Sequence, residues 1–297
     1  MKPTPVQEPF TLQATGAVAR RQAVSRTSRW ILFSATAFAI FVLAVLAWDI
    51  ISTGGSKITW DFLTSYPSRF ADQAGLRSSI LGSLWILGTT IVLAIPVAVG
   101  TAVWLEEFAP KSRIVAIVRL NISNLAGVPS IIYGILGLAV FVRLFELGSS
   151  ILAGALTLTL MILPMTIIAS SEAIRQVPPS IRQGSLALGA TQWQTTWFHV
   201  LPNALPGIMT GVILAISRAA GETAALIMIG AFAFIAFDNT NLLEDFTTVP
   251  IQIYNWTIRP QEDFRAIAAA GIIILMGGVL TLNLIAVLIR ERFRKTF

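Results

Sequence analysis

The sequence predicts an all-α integral membrane protein with six transmembrane helices. Hydrophobic residues make up 55% of the 297-residue chain and charged residues only 12%, a composition too apolar for a soluble domain of this length. Uncharged stretches of about 20 residues, the length that crosses a bilayer as a helix, recur along the chain. There are no cysteines and only one histidine, so we expect no disulfide framework, no metal centre and no cofactor.

The six predicted helices follow one another along the chain. Five come directly from uncharged stretches, at 30–48, 78–105, 120–142, 147–171 and 266–289. The remaining one covers 206–237, where only Arg218 and Glu222 interrupt an apolar run. We therefore assign a transmembrane domain to residues 30–290.

The distribution of charge predicts the orientation. With the N-terminus inside, 14 of the 21 lysines and arginines lie in cytoplasmic segments, and nine acidic residues lie in outer ones. The positive-inside rule therefore predicts that both termini are cytoplasmic. We expect residues 1–29 to form a mobile basic tail rather than a cleaved signal peptide, and residues 291–297 to form a second basic tail. Because the basic residues flank apolar runs, they indicate topology and no binding of nucleic acid.

A long cytoplasmic segment begins with a predicted short helix. Prolines 178 and 179 favour the end of one helix and the start of the next. Gly189 provides a turn where the new helix can stop. Three residues between these points lie at helical spacing and are expected on one face: Ile181, Ser185 and Leu188.

A second short helix is expected after the glycine. Trp193 and Trp197 are four residues apart and would share one face, and the helix would end before Pro202. One interpretation is a hairpin at residues 178–202 that lies in the membrane interface, with its tryptophans among the lipid headgroups. The other is a docking element for a soluble partner, and spacing alone leaves both open.

Two pairs of opposite charges stand out in or near the apolar spans. Arg218 and Glu222 are four residues apart, so on a continuous helix they would share a face and pair. Counted from Pro206 at 1.5 Å per residue, Arg218 would lie about 18 Å along its helix, near the middle of a bilayer core about 30 Å thick. Glu172 and Arg175 form a similar pair, three residues apart, at the end of the fourth span.

A structural role is the alternative for both pairs, since an internal ion pair can simply hold helices together. Intramembrane charges usually face the interior of a bundle or an aqueous path, which favours a functional role. In the third span, Pro129 and Tyr133 are expected to kink the helix and line such a path. The small residues around Arg218 are expected to allow close packing of helices.

The cytoplasmic segment resembles the signature of ABC importer permeases. Gly189 is followed by nine residues, then His199, one further residue and Leu201-Pro202. Gln183 and Gly184 stand where that family has glutamate and alanine. Three further stretches, 125–138, 172–178 and 216–226, resemble phosphate-specific permeases of this family, and the A-type subunit more than the C-type.

This resemblance implies a type I ABC importer permease that forms half of a phosphate path, working by alternating access. Its partners would be a second permease subunit, two ATP-binding subunits, an extracytoplasmic phosphate-binding protein and membrane lipid. The pattern G-x-x-x-x-G-K-[ST] of an ATP-binding loop does not occur, so we expect a transport subunit with no catalytic site.

The resemblance also implies two sets of functional residues. The translocation path would involve Arg218, Glu222, Glu172 and Arg175. Coupling to the ATPase would involve Gln183, Gly184, Ser185, Leu186, Leu188, Gly189, Trp193, Trp197, Leu201 and Pro202. Two other functions remain open: a permease for another oxyanion such as sulfate or molybdate, and an ATP-independent channel or carrier.

Overall fold

The computed structural model describes residues 16–231 and 234–294, and these residues are helical apart from loops and one isolated bridge between Ser150 and Asp245. Their α-helices, in chain order, are α1 (Ala17–Gly54), α2 (Trp60–Thr64), α3 (Arg77–Val103), α4 (Arg113–Ala126), α5 (Ser130–Gly137), α6 (Ile151–Arg175), α7 (Pro179–Ala187), α8 (Gln192–Thr195), α9 (Leu201–Ala220), α10 (Ala224–Met228), α11 (Val249–Thr257) and α12 (Glu262–Arg294). Helices α3 and α5 continue into π-helical turns at Trp104–Phe108 and Leu138–Leu144, and a third such turn, Thr196–Val200, joins α8 to α9.

The predicted number of spans is confirmed. Among the described residues, five helices are long and apolar enough to cross a membrane, and a bent pair of helices brings the number to six. The predicted spans at 30–48, 78–105, 147–171 and 266–289 correspond to α1, α3, α6 and α12.

The third span is not the continuous helix that the sequence predicted. It consists of α4 and α5 with its π-helical turn, and the two parts meet at an angle of 102°. Pro129 is the N-cap residue of α5, and a proline pushes the residue before it out of the helical region. The expected kink at Pro129 is thus a full elbow. The hydroxyl of Tyr133 donates a hydrogen bond of 2.8 Å to the carbonyl of Leu125, which ties the two arms together.

The fifth span is also placed differently. It runs over Gln192–Ala220 instead of 206–237, because α8 continues through a π-helical turn into α9 without stopping before Pro202. Pro202 is compatible with this continuation because it follows the π-helical turn Thr196–Val200, where the regular pattern of backbone hydrogen bonds is already interrupted. At the other end Gly221 caps α9. Arg218 therefore lies in the last turn of its helix and not within a longer continuous one, whereas its depth in the bilayer stays a prediction.

Helix α6 is the centre of the bundle and packs against both α3 and α9. Its contact with α9 is close because small residues meet at matching four-residue spacing. A Cβ atom added to Gly207 would lie 2.7 Å from that of Ala173, and one added to Gly211 would lie 2.4 Å from that of Ala169. This is the small-residue packing that allows membrane helices to approach without a hydrophobic driving force.

A loop after α10 covers the start of α3. Arg77 binds Asp238 through Nε and Nη2, at 2.9 and 2.5 Å, and the hydroxyl of Ser78 donates to the carbonyl of Ile235 at 2.7 Å. The Arg77 guanidinium, with a smaller contribution from the Tyr66 hydroxyl, holds the pKa of the Asp238 carboxyl below its ordinary value. This loop end of the bundle is opposite the end that carries α7 and α8.

The chain divides into two compact units, residues 1–49 and 50–297. In the first, the described part of α1 begins at Ala17, and its apolar side chains between Trp30 and Trp48 are largely exposed. Residues 17–29, expected in a mobile tail, are thus helical, whereas the rest of that tail before Gly16 lies outside the described residues. Of the second expected tail, α12 contains residues 291–294, and residues 295–297 lie outside the description.

Candidate functional site

Arg218 is exposed on the surface of the chain at the end of α9. Its Nη1 atom lies 3.7 Å from the sulfur of Met165 on α6. It is also close enough to Tyr133 on α5 for the two side chains to interact electrostatically. No ion pair joins Arg218 to an acidic residue within the described ranges 16–231 and 234–294.

The predicted pair between Arg218 and Glu222 is therefore wrong. The spacing rule holds only on a continuous helix, and α9 ends at Ala220, two residues before the glutamate. The carboxylate of Glu222 instead accepts a hydrogen bond of 3.2 Å from the backbone N–H of Ala225, in the first turn of α10. An acidic group is favoured at that position by the free N–H groups of a helix start.

Small residues assemble the surroundings of Arg218 as expected. Ala219, Ala220 and Ala225 are buried, and a Cβ atom on Gly134 would lie 2.7 Å from the carbonyl oxygen of Ala225. Helix α10 thus lies directly against α5. The junction of α5, α6, α9 and α10 presents a guanidinium with five donors and, in the part of the chain that the structure describes, no acidic partner, an arrangement suited to a bidentate oxyanion.

The second predicted pair does form. Nη1 of Arg175 lies 2.9 Å from Oε1 of Glu172, and both side chains are about half exposed. The same arginine also binds Glu106 from the end of α3, with Nε 2.9 Å from Oε2 and Nη2 3.1 Å from Oε1. The pair therefore belongs to a larger cluster that sequence spacing did not predict.

Four charged residues of this cluster escaped the sequence analysis. Glu106 and Glu107 lie in the π-helical turn after α3, and their side chains are only 9% and 7% exposed. Arg119 on α4 binds Glu106, and Arg182 on α7 binds Glu107 at 2.7 Å. The available signal was two consecutive acids next to a segment that is rich in basic residues and predicted to be cytoplasmic.

Helices α7 and α8 and the π-helical turn that ends at Val200 form a helical hairpin, residues 179–200, which is called the hairpin from here on. Gly189 adopts a φ of +86°, which only glycine accommodates without strain, and so turns the chain as predicted. Thr191 and Gln194 form a capping box at the start of α8. The hydroxyls of Ser185 and Thr195 lie 2.9 Å apart and join the two arms.

The hairpin presents a set of apolar side chains to its surroundings. Leu188 is 91% exposed, and the rings of Trp193 and Trp197 stack with their centroids 5.8 Å apart. Leu186 and Phe198 are also exposed. Leu188 does not share a face with buried Ser185 as predicted, because it is the C-cap residue where the helix ends.

The remaining residues of the predicted coupling set differ in their exposure. Gln183, Gly184 and Gly189 are exposed, whereas Leu201 and Pro202 are partly buried at the start of α9. Exposed apolar groups on a rigid turn are typical of an interaction surface.

Comparisons with known proteins agree with this architecture. Residues 94–295 match the family described as "Binding-protein-dependent transport system inner membrane component". The chain is 35% identical over 249 residues to a probable ABC transporter permease protein, YqgI, of Bacillus subtilis, covering 80% of this chain and 85% of the relative. It is 31% identical over 280 residues to the phosphate transport system permease protein PstA 1 of Mycobacterium tuberculosis, covering 91% and 90%. A bacterial alginate ABC transporter crystallised with its periplasmic protein has the same fold, with a TM-score of 0.63 at 15% identity, covering 91% of this chain and 97% of the other.

The fold and these matches define a multi-pass membrane protein that is a component of a transport system. More specifically, the chain belongs to the family of inner membrane components of binding-protein-dependent transport, the permeases of ABC importers.

Proposed function

We propose that this chain is the PstA-like permease subunit of an ATP-driven importer of inorganic phosphate, and that it forms half of a translocation path by alternating access. The observation that carries the proposal is Arg218, exposed at the junction of four helices without an acidic partner in the described part of the chain. Several relatives at about 30% identity are phosphate transport permeases by name.

The electrostatics of the junction favour an anion as the transported species. A guanidinium without an acidic partner attracts phosphate oxygens, and its planar donors can bind two of them at once. Because Glu222 is engaged at the start of α10, its carboxylate does not have to leave Arg218 before an anion can bind. The exchange of partners that a paired arginine would need is therefore absent from the proposed cycle.

The hairpin supports coupling to a separate ATPase. Its exposed leucines and stacked tryptophans would fit a groove of an ATP-binding subunit. The glycine turn would keep the hairpin rigid while it transmits the movement of that subunit to the membrane helices. We expect a Trp197→Ala variant to bind the ATP-binding subunit at least tenfold more weakly, as for a buried aromatic anchor of an interface. If the hairpin only lay among lipid headgroups, that affinity would not change.

The remaining assignments complete the proposed complex. Both termini face the cytoplasm of a bacterial inner membrane, in keeping with the positive-inside rule. The partners are a PstC-like permease, two PstB-like ATP-binding subunits and a PstS-like extracytoplasmic phosphate-binding protein. The chain itself carries no ATPase site, and no cofactor enters the cycle.

The test is phosphate uptake by the reconstituted four-component complex with Arg218→Gln. We expect uptake to be abolished while the variant still inserts and assembles, and Arg218→Lys to retain part of the activity because it keeps the charge without the bidentate fork. Arg265→Gln, which removes an exposed arginine at the start of α12, is the matched control and should transport normally.

Three results would contradict the proposal. Normal uptake by Arg218→Gln at normal assembly would remove this residue from the path. Phosphate flux through the chain alone, without ATPase, would favour a channel or carrier, and ATP-driven uptake of sulfate or molybdate in place of phosphate would favour a different oxyanion permease.

A further inference from the structure

The charged cluster at the end of α3 joins the hairpin to the membrane-length helices. Glu106 and Glu107 are neighbours in a π-helical turn, so their side chains point in different directions and take different partners. Glu106 binds Arg119 of α4 and Arg175 of α6. Glu107 binds Arg182 of α7, the first helix of the hairpin.

Arg182 is engaged on two sides at once. Its Nε and Nη2 atoms lie 3.1 and 2.7 Å from Oε1 of Glu107. Its Nη2 atom also donates to the carbonyl of Ile174, in the last turn of α6, at 2.9 Å. Its Nη1 atom donates to the carbonyl of Val177, just beyond the end of α6, at 2.6 Å. One guanidinium therefore connects the hairpin with α3 and α6 together, which a lysine with its single ammonium group could not do in the same geometry.

Two further contacts bring the hairpin against the same turn of α3. The side-chain amide of Gln192 donates to the backbone carbonyl of Glu107. The rings of Phe108 and Trp193 are 5.9 Å apart between centroids. Both helices of the hairpin are thus attached to one short segment, residues 107–108, in addition to the chain connection through residues 176–178.

Burial makes the ionic contact hard to break. The side chains of Glu106 and Glu107 are more than nine-tenths buried, and a buried charge that loses its partner carries a large desolvation penalty. Separating Arg182 from Glu107 would leave both charges without an ionic partner, so a displacement of the hairpin is expected to act on α3 as well.

We propose that the Glu107–Arg182 ion pair is the link that makes the hairpin and α3 move as one body, and that Glu106 passes this motion to α4 and α6. Both glutamates and Arg182 are then positioning residues for transport, remote from the transported solute. The proposal rests on the proposed function only in assuming that a partner displaces the hairpin.

Removing both charges separates this role from a merely structural one. Arg182→Gln leaves the buried charge of Glu107 unpaired, and Glu107→Gln leaves the partly buried charge of Arg182 without its acid, so each is expected to lower the yield of assembled complex. The double variant leaves no unpaired charge, so assembly should recover. Coupling should not recover, and transport per ATP hydrolysed should stay about fivefold or more below the original, the scale of a typical coupling interaction.

The matched control is Glu262→Gln, which neutralises an exposed carboxylate in the first turn of α12, and it should leave both assembly and coupling unchanged. A double variant that assembles and transports at the original ratio would overturn the proposal. A double variant that remains unassembled would also overturn it, since the pair would then be needed for structure itself.

A second measurement is independent of the transported solute. The chain has no cysteine, so spin labels can be placed at Ala187→Cys in α7 together with Val97→Cys in α3, or with Leu280→Cys in α12, all at exposed positions. In the complete complex, binding of a non-hydrolysable ATP analogue should change the distance from α7 to α12 and leave that from α7 to α3 unchanged. In the Glu107→Gln/Arg182→Gln variant both distances should change.

Three results of the labelling would overturn the link: a change between α7 and α3 in the original complex, no change of that distance in the double variant, or no displacement of the hairpin at all. Failure of the phosphate assignment is distinguishable, because a complex that imports another solute would still show the labelled helices moving together.

Discussion

Gly211 makes the closer of the two glycine contacts between α9 and α6, and its replacement tests the packing of these helices. A Cβ atom there would lie 2.4 Å from the Cβ atom of Ala169. Carbon atoms pack without repulsion at about 3.5–4.0 Å, so Gly211→Ala requires the two helices to separate by roughly 1 Å or more. Overpacking of this kind typically costs about 1–3 kcal/mol.

Gly211→Ala also has a stabilising effect, which must be separated from the overpacking cost. Alanine is favoured over glycine within a helix by about 0.8–1.0 kcal/mol. Gly88 in α3 provides the control, because a Cβ atom there would meet nothing within 4 Å. Gly88→Ala should therefore show the gain alone, and the difference between the two variants should be the overpacking cost of about 1–3 kcal/mol.

Reversible unfolding of the chain in mixed micelles, followed by tryptophan fluorescence, measures this difference. The double variant Gly211→Ala/Ala169→Gly moves the methyl group from α6 to α9 and should recover most of the lost stability. Equal stability of Gly211→Ala and Gly88→Ala would refute the close contact. So would a double variant no more stable than Gly211→Ala.

Three further predictions concern single side chains. Because Arg77 lowers the pKa of Asp238, the ion pair stabilises the loop above the carboxyl's unfolded-state pKa, and this stability is lost as the pH falls through the lower folded-state pKa. The protection factors of the backbone amides at residues 234–248, which are hydrogen-exchange rates corrected for the intrinsic effect of pH, should therefore fall with acidification. Asp238→Asn should reduce that step, because its loop is already loose at neutral pH. Tyr133→Phe removes the hydrogen bond across the elbow and should cost about 1–3 kcal/mol in the free energy of unfolding, whereas an unchanged value would show that the hydroxyl does not hold the two arms. Glu222→Gln keeps an acceptor for the start of α10 and should cost at most about 1 kcal/mol, with phosphate uptake largely retained; complete loss of uptake would restore a role for the carboxylate beside Arg218.

The sequence predicts the spans well because bilayer thickness imposes a length that apolar runs must meet. It also locates the elbow, since Pro129 excludes a regular helix through that point. The end of α9 is less visible: the run on both sides of Gly221 is equally apolar, so composition does not mark the break. The break is stabilised by packing of α10 on α5, including the contact of Gly134 with Ala225, and such a contact between distant segments has no signature in local spacing.

The same limit explains why the charged cluster was missed and why one predicted pair failed. Helical spacing finds partners such as Glu172 and Arg175 that lie one turn apart, but Glu106 meets Arg175 across 69 residues of chain and Glu107 meets Arg182 across 75. Conversely, the four-residue spacing predicted an ion pair between Arg218 and Glu222 only on the condition that one helix continues through both residues. Three of the acids that hold arginines, Glu106, Glu107 and Glu172, thus lie together at the hairpin end, and Asp238 holds Arg77 at the opposite end. Within the described part of the chain, Arg218 has no such acid. On the two proposals made above, tertiary packing separates the arginines by role. Those bound to Glu106 and Glu107 connect the hairpin with the helices, whereas Arg218, which lacks an acidic partner in the described part of the chain, binds the anion.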